Sequence, residues 1–348
     1  MQQHSSITLG PLLALLLLFS CSSGEEILKE EIPPVLPEEK VTVSFSGKMD
    51  LVETKAGEGE GTPTQVSTLR EGVNVTIRAY KQTAVAQPTA APQLCYDYTV
   101  QSDGSLAVKD GGEEMLLAAG AYTFYALSVN AVGDTVPPAL TSGSDSETGA
   151  LQNNTDYLYC GVSQKIESKP EVSNPEEKQN VSLTFSRLSA RLQISIVSDG
   201  GDDKITAAEA PTVTLPLTDP AGSKITLGAT PAIGQYTVAT TDTTLESEGD
   251  ITDGFTAGVI LLPMAASQTL PVRIVFPSIS FNGLAAQTNK LYETKIITPA
   301  GGFVSGRQYN YKVNITGNQV GFTTLSVTAW DVKTPENGLP DSSIEEDY

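Results

Sequence analysis

The chain has 348 residues, enough for two ordinary domains or one large β architecture. Its 41 acidic residues against 21 basic ones give a formal charge of −20, which repels phosphate backbones and sets nucleic acid aside as a partner. The one histidine, His4, falls in an N-terminal targeting segment, so its removal excludes Ser-His-Asp or Cys-His catalysis and His-ligated zinc for the chain acting alone.

Leu9–Phe19 is an apolar run of signal-peptide length, too short to cross a bilayer, inside a signal peptide read as 1–20. It ends in Leu18-Phe19-Ser20-Cys21, which resembles a bacterial lipobox. Cys21 is therefore read as the lipidation site. Its acyl chains would hold the protein on the outer membrane, at about 0.8 kcal/mol for each buried methylene. Residues 21–40, with the acidic pair Glu25-Glu26 just beyond the cysteine, are proline-rich and read as a lipidated acidic tether.

The period then becomes two. "VTVSFSG" places Val41, Val43 and Phe45 on one face, "VNVTIRAY" does the same with Val73, Val75 and Ile77, and "LCYDYTV" groups Leu94, Tyr96, Tyr98 and Val100. "AGAYTFYALSVN" (119–130) follows a glycine turn. Such short runs, bounded by Gly, Pro, Asp and Ser with no amphipathic helix between them, predict an all-β fold. The polar stretch 131–156 predicts a long surface loop, and strand character resumes at "YLYCGV". The charged, proline-bearing stretch 163–180 suggests a domain boundary, dividing an N-terminal β-sandwich at 41–170 from a C-terminal one at 171–334.

In "VSLTFSRLSARLQISI" the apolar residues change parity: Val181, Leu183 and Phe185 are odd, while Leu188, Ala190, Leu192, Ile194 and Ile196 are even. Continuous burial across Ser186-Arg187 then requires a β-bulge or a strand that changes sheets. Further alternating runs follow from "TVTLPL" through "LPVRIVF" and "RQYNYKVNIT" to "LSVTAWDV", and 335–348 is an acidic, turn-rich tail. Trp330, the only tryptophan, falls in the last run and reads as a core or rim anchor rather than a stacking platform.

With Cys21 acylated, Cys95 and Cys160 are left to form a disulfide or to stand as two separate thiols. Thr135 and Thr243 sit in Asp-Thr-Val and Asp-Thr-Thr, which resemble an O-glycosylation motif of exported Bacteroidetes proteins. The Asp199, Asp202 and Asp203 loop misses the calcium-loop spacing and reads as a hairpin loop. No catalytic residue, cofactor or metal is expected.

Four stretches in order carry a family likeness: the lipobox at Cys21, "LAAGAYTFYALSVN", "VSLTFSRLSARLQI" and "GFVSGRQYNYKVNITGNQVGFTTLSVTAWDV". The chain resembles the fimbrillins, pilin lipoproteins of Bacteroidetes. The resemblance implies two transthyretin-like β-sandwich domains in tandem and a cell-surface subunit serving adhesion to a host or bacterial ligand. It also implies partnership with other fimbrillin subunits by protease-triggered strand complementation. Family maturation favours a cut after arginine before the first core strand, but the tether holds only Lys29 and Lys40, and the first arginine is Arg70. Three outcomes stay open: a cut after Lys40, a cut after Arg70, or an uncut, permanently moored anchor subunit. A carbohydrate-binding surface lipoprotein of a glycan-uptake system is the alternative reading.

Overall fold

The computed structural model describes residues 39–49, 67–133, 135–168, 178–198, 201, 203–317 and 319–330. The signal peptide, Cys21, the tether up to residue 38 and the tail lie outside them. So do Asp199 and Asp202. Every regular element among the described residues is a strand.

The first sheet contains β1 (Lys40–Met49), β2 (Ser67–Thr68), β3 (Val73–Tyr80), β4 (Leu94–Val100), β5 (Ser105–Val108), β6 (Met115–Ala118), β7 (Gly120–Val132), β8 (Leu158–Ile166) and β9 (Gln179–Arg187). β1 shows the alternation read from sequence, with Val41, Val43, Phe45 and Met49 buried. An open sandwich is expected from sequence, but this sheet closes on itself. Its order runs β1-β5-β4-β3-β7-β8-β9 and returns to β1 through a parallel pairing of Val43–Met49 with Gln179–Phe185. β1 makes closure possible because it is long enough to be paired along both edges. Its other edge is covered in turn by β6, β5 and β2, so neither side of the strand is left bare. Phe45 fills the ring, meeting Tyr98 and Phe124 edge-on at centroid distances of 5.2 and 5.5 Å.

The parity change in 181–196 is a change of sheet. β9 stays in the first sheet, and β10 (Ala190–Val197) begins the second after Leu188-Ser189. The passage between sheets therefore falls later than the 170/171 boundary expected from composition, because β9 has the free edge of β1 to pair with.

The remaining strands are β11 (Ile205–Ala208), β12 (Thr212–Thr218), β13 (Val238–Glu246), β14 (Glu248–Asp250), β15 (Gly254–Leu261), β16 (Thr269–Phe281), β17 (Gln287–Ile297), β18 (Arg307–Thr316) and β19 (Gln319–Ala329). They form two five-stranded sheets, β14-β15-β10-β18-β19 and β11-β16-β12-β13 with β17 on the other edge of β16. Alternate residues such as Ile194, Val259, Val313, Leu215, Ile274 and Phe276 meet between them in one core.

The expected surface loop at 131–156 also acts as a strap. It covers the outer face of β3, so that all eight residues of that strand are buried. The polar residues there find partners in it: Asn74 donates to the Thr135 carbonyl (3.0 Å) and the Tyr80 hydroxyl to the Asp145 carbonyl (2.7 Å). The strap then crosses to the second half. Thr148 and Leu227 amides bond to the Ile225 and Ser146 carbonyls, and Leu151 packs with Ile225, Leu227 and Leu262. A buried backbone needs such partners, and a polar composition does not reveal that they lie far along the chain. Gly228, at φ +74°, lets the halves approach closely: a Cβ there would stand 2.3 Å from the Ala86 carbonyl carbon.

Candidate functional site

The feature least explained by folding alone is the edge formed by β19. Among the described residues this strand pairs only with β18. Its register sets Val327 opposite Tyr309, Leu325 opposite Tyr311 and Phe322 opposite Val313. Directly opposed residues share a face, and Tyr309, Tyr311 and Val313 belong to the core. Leu325 and Val327 therefore lie on the core side of the sheet, yet they remain 42% and 37% exposed. Phe322 is partly covered and meets Tyr311 at 5.7 Å.

The facing sheet ends in β17, whose inward Tyr292 and Ile296 are buried. Two hydroxyls tie these edges together: Tyr292 donates to the Gly317 carbonyl at 2.6 Å, and Tyr311 to the Ile297 carbonyl at 3.4 Å. Burial raises both tyrosines to a pKa of about 12, for Tyr311 with a further push from Tyr309. Past these ties Leu325 and Val327 keep part of their apolar surface exposed, beside an edge of β19 that no other described strand pairs with. The arrangement accepts another strand: ladder bonds from the edge, and pockets for alternate side chains.

β19 is pinned at its far end. Trp330 is only 3% exposed, which makes it the anchor expected from sequence. Arg187, the last residue of β9, lies 4.5 Å from the indole centroid and donates to the Trp330 carbonyl at 2.7 Å. Its Nε also donates to Asp156 Oδ2 at 2.9 Å, an oxygen shared with Asn130 Nδ2 at 2.7 Å. Nearby Arg191 is lowered to about 10, first by burial and then by repulsion from Arg187, with Asp156 opposing. Sequence reasoning missed Arg187 and Asp156. The only signal was an arginine placed where the apolar parity breaks.

Arg70 is exposed in the short connection between β2 and β3, whereas Lys40 is the exposed first residue of β1. The two lie on opposite sides of β1 in the chain, a distinction that decides what a cut releases.

The two cysteines form no bridge. Cys95 is exposed on β4 and Cys160 is buried on β8, both as free thiols. β3 and β7 stand between these strands, a separation of roughly 14 Å at ordinary strand spacing, against the 4.4–6.8 Å that a disulfide spans between Cα atoms. Parity in the sequence already carried this, since Cys95 alternates with Leu94 and Tyr96 while Cys160 shares the inward parity of Leu158. Burial pushes the Cys160 thiol up to about 12.

Thr135 is half-buried in the strap, its hydroxyl donating to the Ala131 carbonyl at 3.0 Å. Thr243 lies within β13, opposite buried Leu215, rather than in a loop. Neither presents the freely exposed hydroxyl that its motif suggests. Among the described residues no group of three or more His, Cys, Asp or Glu gathers to hold a metal ion.

Comparison with protein families gives a match to a model described as fimbrillin-like, over residues 54–330. Among solved structures, a candidate cell adhesion protein of Bacteroides ovatus superposes with a TM-score of 0.53 at 14% identity, covering 84% of this chain and 99% of its own. Similar candidate cell adhesion proteins of Bacteroides fragilis and Bacteroides uniformis give 0.51 at 14% and 0.50 at 17%, with the same coverage. At such identities the likeness is one of fold. No curated protein matches the chain.

Proposed function

Because the chain belongs to the fimbrillin-like family, we propose that it is a structural subunit of a cell-surface fimbria, serving adhesion and joined to its neighbours by strand complementation. In this reading it is exported as a lipoprotein and first held at the outer membrane through Cys21. Its two halves act as tandem transthyretin-like sandwiches, the first of them closed by β1. The observation that carries the proposal is the edge of β19, where Leu325 and Val327 face the core side of a sheet yet stay partly exposed among the described residues.

The first half offers a second place for an incoming strand. A cut after Lys40 would free only residues upstream of β1 and leave the ring closed. A cut after Arg70 would free β1 itself, withdrawing Phe45 from between Tyr98 and Phe124. The slot left beside β9 would have the length of β1 and an apolar floor, and a terminal strand of the next subunit would fill it. The family match starts at residue 54, downstream of β1, which fits a strand that is dispensable in the mature form. A subunit left uncut stays moored and serves as an anchor.

The test uses the purified full chain and an arginine-specific trypsin-like protease, followed by electrophoresis without heating. One clip after Arg70, ladders that collapse on heating, and loss of both in Arg70→Ala are expected. A clipped protein that stays monomeric overturns strand complementation.

A further inference from the structure

A cavity of about 420 Å³ opens where the strap, β7 and the end of β19 meet, away from the open edge. Trp330 and Ile260 wall part of it, Val136 stands 74% exposed at its rim, and Asn130, Gln152, Thr135 and Asp156 supply polar groups. Asp156 and Arg187 are 7% and 4% exposed. After their pairing, the Asp156 Oδ1 acceptor and the Arg187 Nη2 donor are still buried without a hydrogen-bond partner. Folded proteins rarely leave such atoms unmet.

We propose that this cavity binds the neutral end of a glycan, one or two sugar rings deep. A neutral ligand fits the lining, because Asp156 is the only charged residue among the residues that line the cavity and its carboxylate is already matched by the Arg187 guanidinium. Amide and hydroxyl side chains both donate and accept, as sugar hydroxyls do. Apolar walls suit the C–H faces of a sugar ring, and the size lies within the range of small-molecule pockets. The site is independent of strand exchange, since the uncut monomer already contains it, so a failure here leaves assembly untouched.

The test titrates the uncut full chain with galactose, glucose, mannose and N-acetylglucosamine, reading saturation-transfer NMR and the fluorescence of Trp330, the only tryptophan. N-acetylneuraminic acid and a blocked Ala-Gly-Ala peptide serve as charged and peptide comparators. At least one neutral sugar should transfer saturation and shift the emission. Gln152→Ala should weaken it about tenfold by losing a hydrogen bond, and Ala150→Phe, at an exposed lining position, should block it, both with unchanged thermal unfolding. Binding of the comparators alone, of no neutral sugar, or of a sugar equally by Ala150→Phe overturns the proposal.

Discussion

Leu325→Asp separates folding from assembly. Complete burial of a leucine is worth about 1.5–3 kcal/mol, and Leu325 is 42% exposed. Roughly 1 kcal/mol thus remains to be gained at this position when a partner strand covers it. Aspartate would forfeit that gain and place a carboxylate in the groove, a desolvation costing several kcal/mol more. Association through this edge should weaken by at least about 3 kcal/mol, more than a hundredfold. The monomer loses only the part of the leucine already covered, about 1–1.5 kcal/mol, or a melting shift of a few degrees. Ladder formation after the arginine-specific cut gives the first quantity, and thermal unfolding of the uncut protein gives the second. A variant that polymerises like the wild type would refute the assignment of this edge as an assembly surface. One that fails to fold at all would refute the placement of Leu325 at its margin.

Gly228→Ala should destabilise by about 3 kcal/mol in urea, combining a left-handed alanine with an overpacked contact against Ala86; an unchanged midpoint would mean that these backbones do not meet. Arg187→Met strands the Asp156 carboxylate in a buried site and should cost about 3–5 kcal/mol, while Arg187→Met with Asp156→Leu should recover much of it. Similar losses in the single and double variants would deny the pairing. Alkali should also unfold the protein. Burial raises Tyr80, Tyr292, Tyr311 and Cys160 to about 12, above their unfolded values, so the folded state holds the extra protons. Stability should be full below pH 9 and fall progressively between about pH 9 and 12, and a pH-independent urea midpoint across that range would contradict it.

Strands were legible wherever one face alone is buried. "VTVSFSG" announced β1 by strict alternation, and the parity break at Ser186-Arg187 marked the passage between sheets, because inverting the buried face is the local trace of a change of layer. What escaped was whatever depends on a distant partner. The strap at 131–156 has a solvated loop's composition and stays largely at the surface, but its backbone also covers β3 and bonds to residues 225–227. "VNVTIRAY" looked half-buried for the same reason. Ring closure joins Val43 to Gln179, a pairing on which no local period bears. The open groove was invisible because Leu325 and Val327 read as ordinary inward residues, and their exposure follows from β19 being last in its sheet. The cysteines were a different case: their opposite parity was on the page.

The direction of β1 has a consequence for any fibre built on its slot. β1 runs parallel to β9 and antiparallel to β5 and β6. A strand that takes its place with the same ladder bonds can enter in one orientation only. Each joint then has a donor side and an acceptor side on different parts of the molecule, so a single joint is heterologous and is not itself two-fold. Growth becomes vectorial: every subunit added leaves the same unsatisfied end exposed, and the two tips of the fibre are chemically unlike.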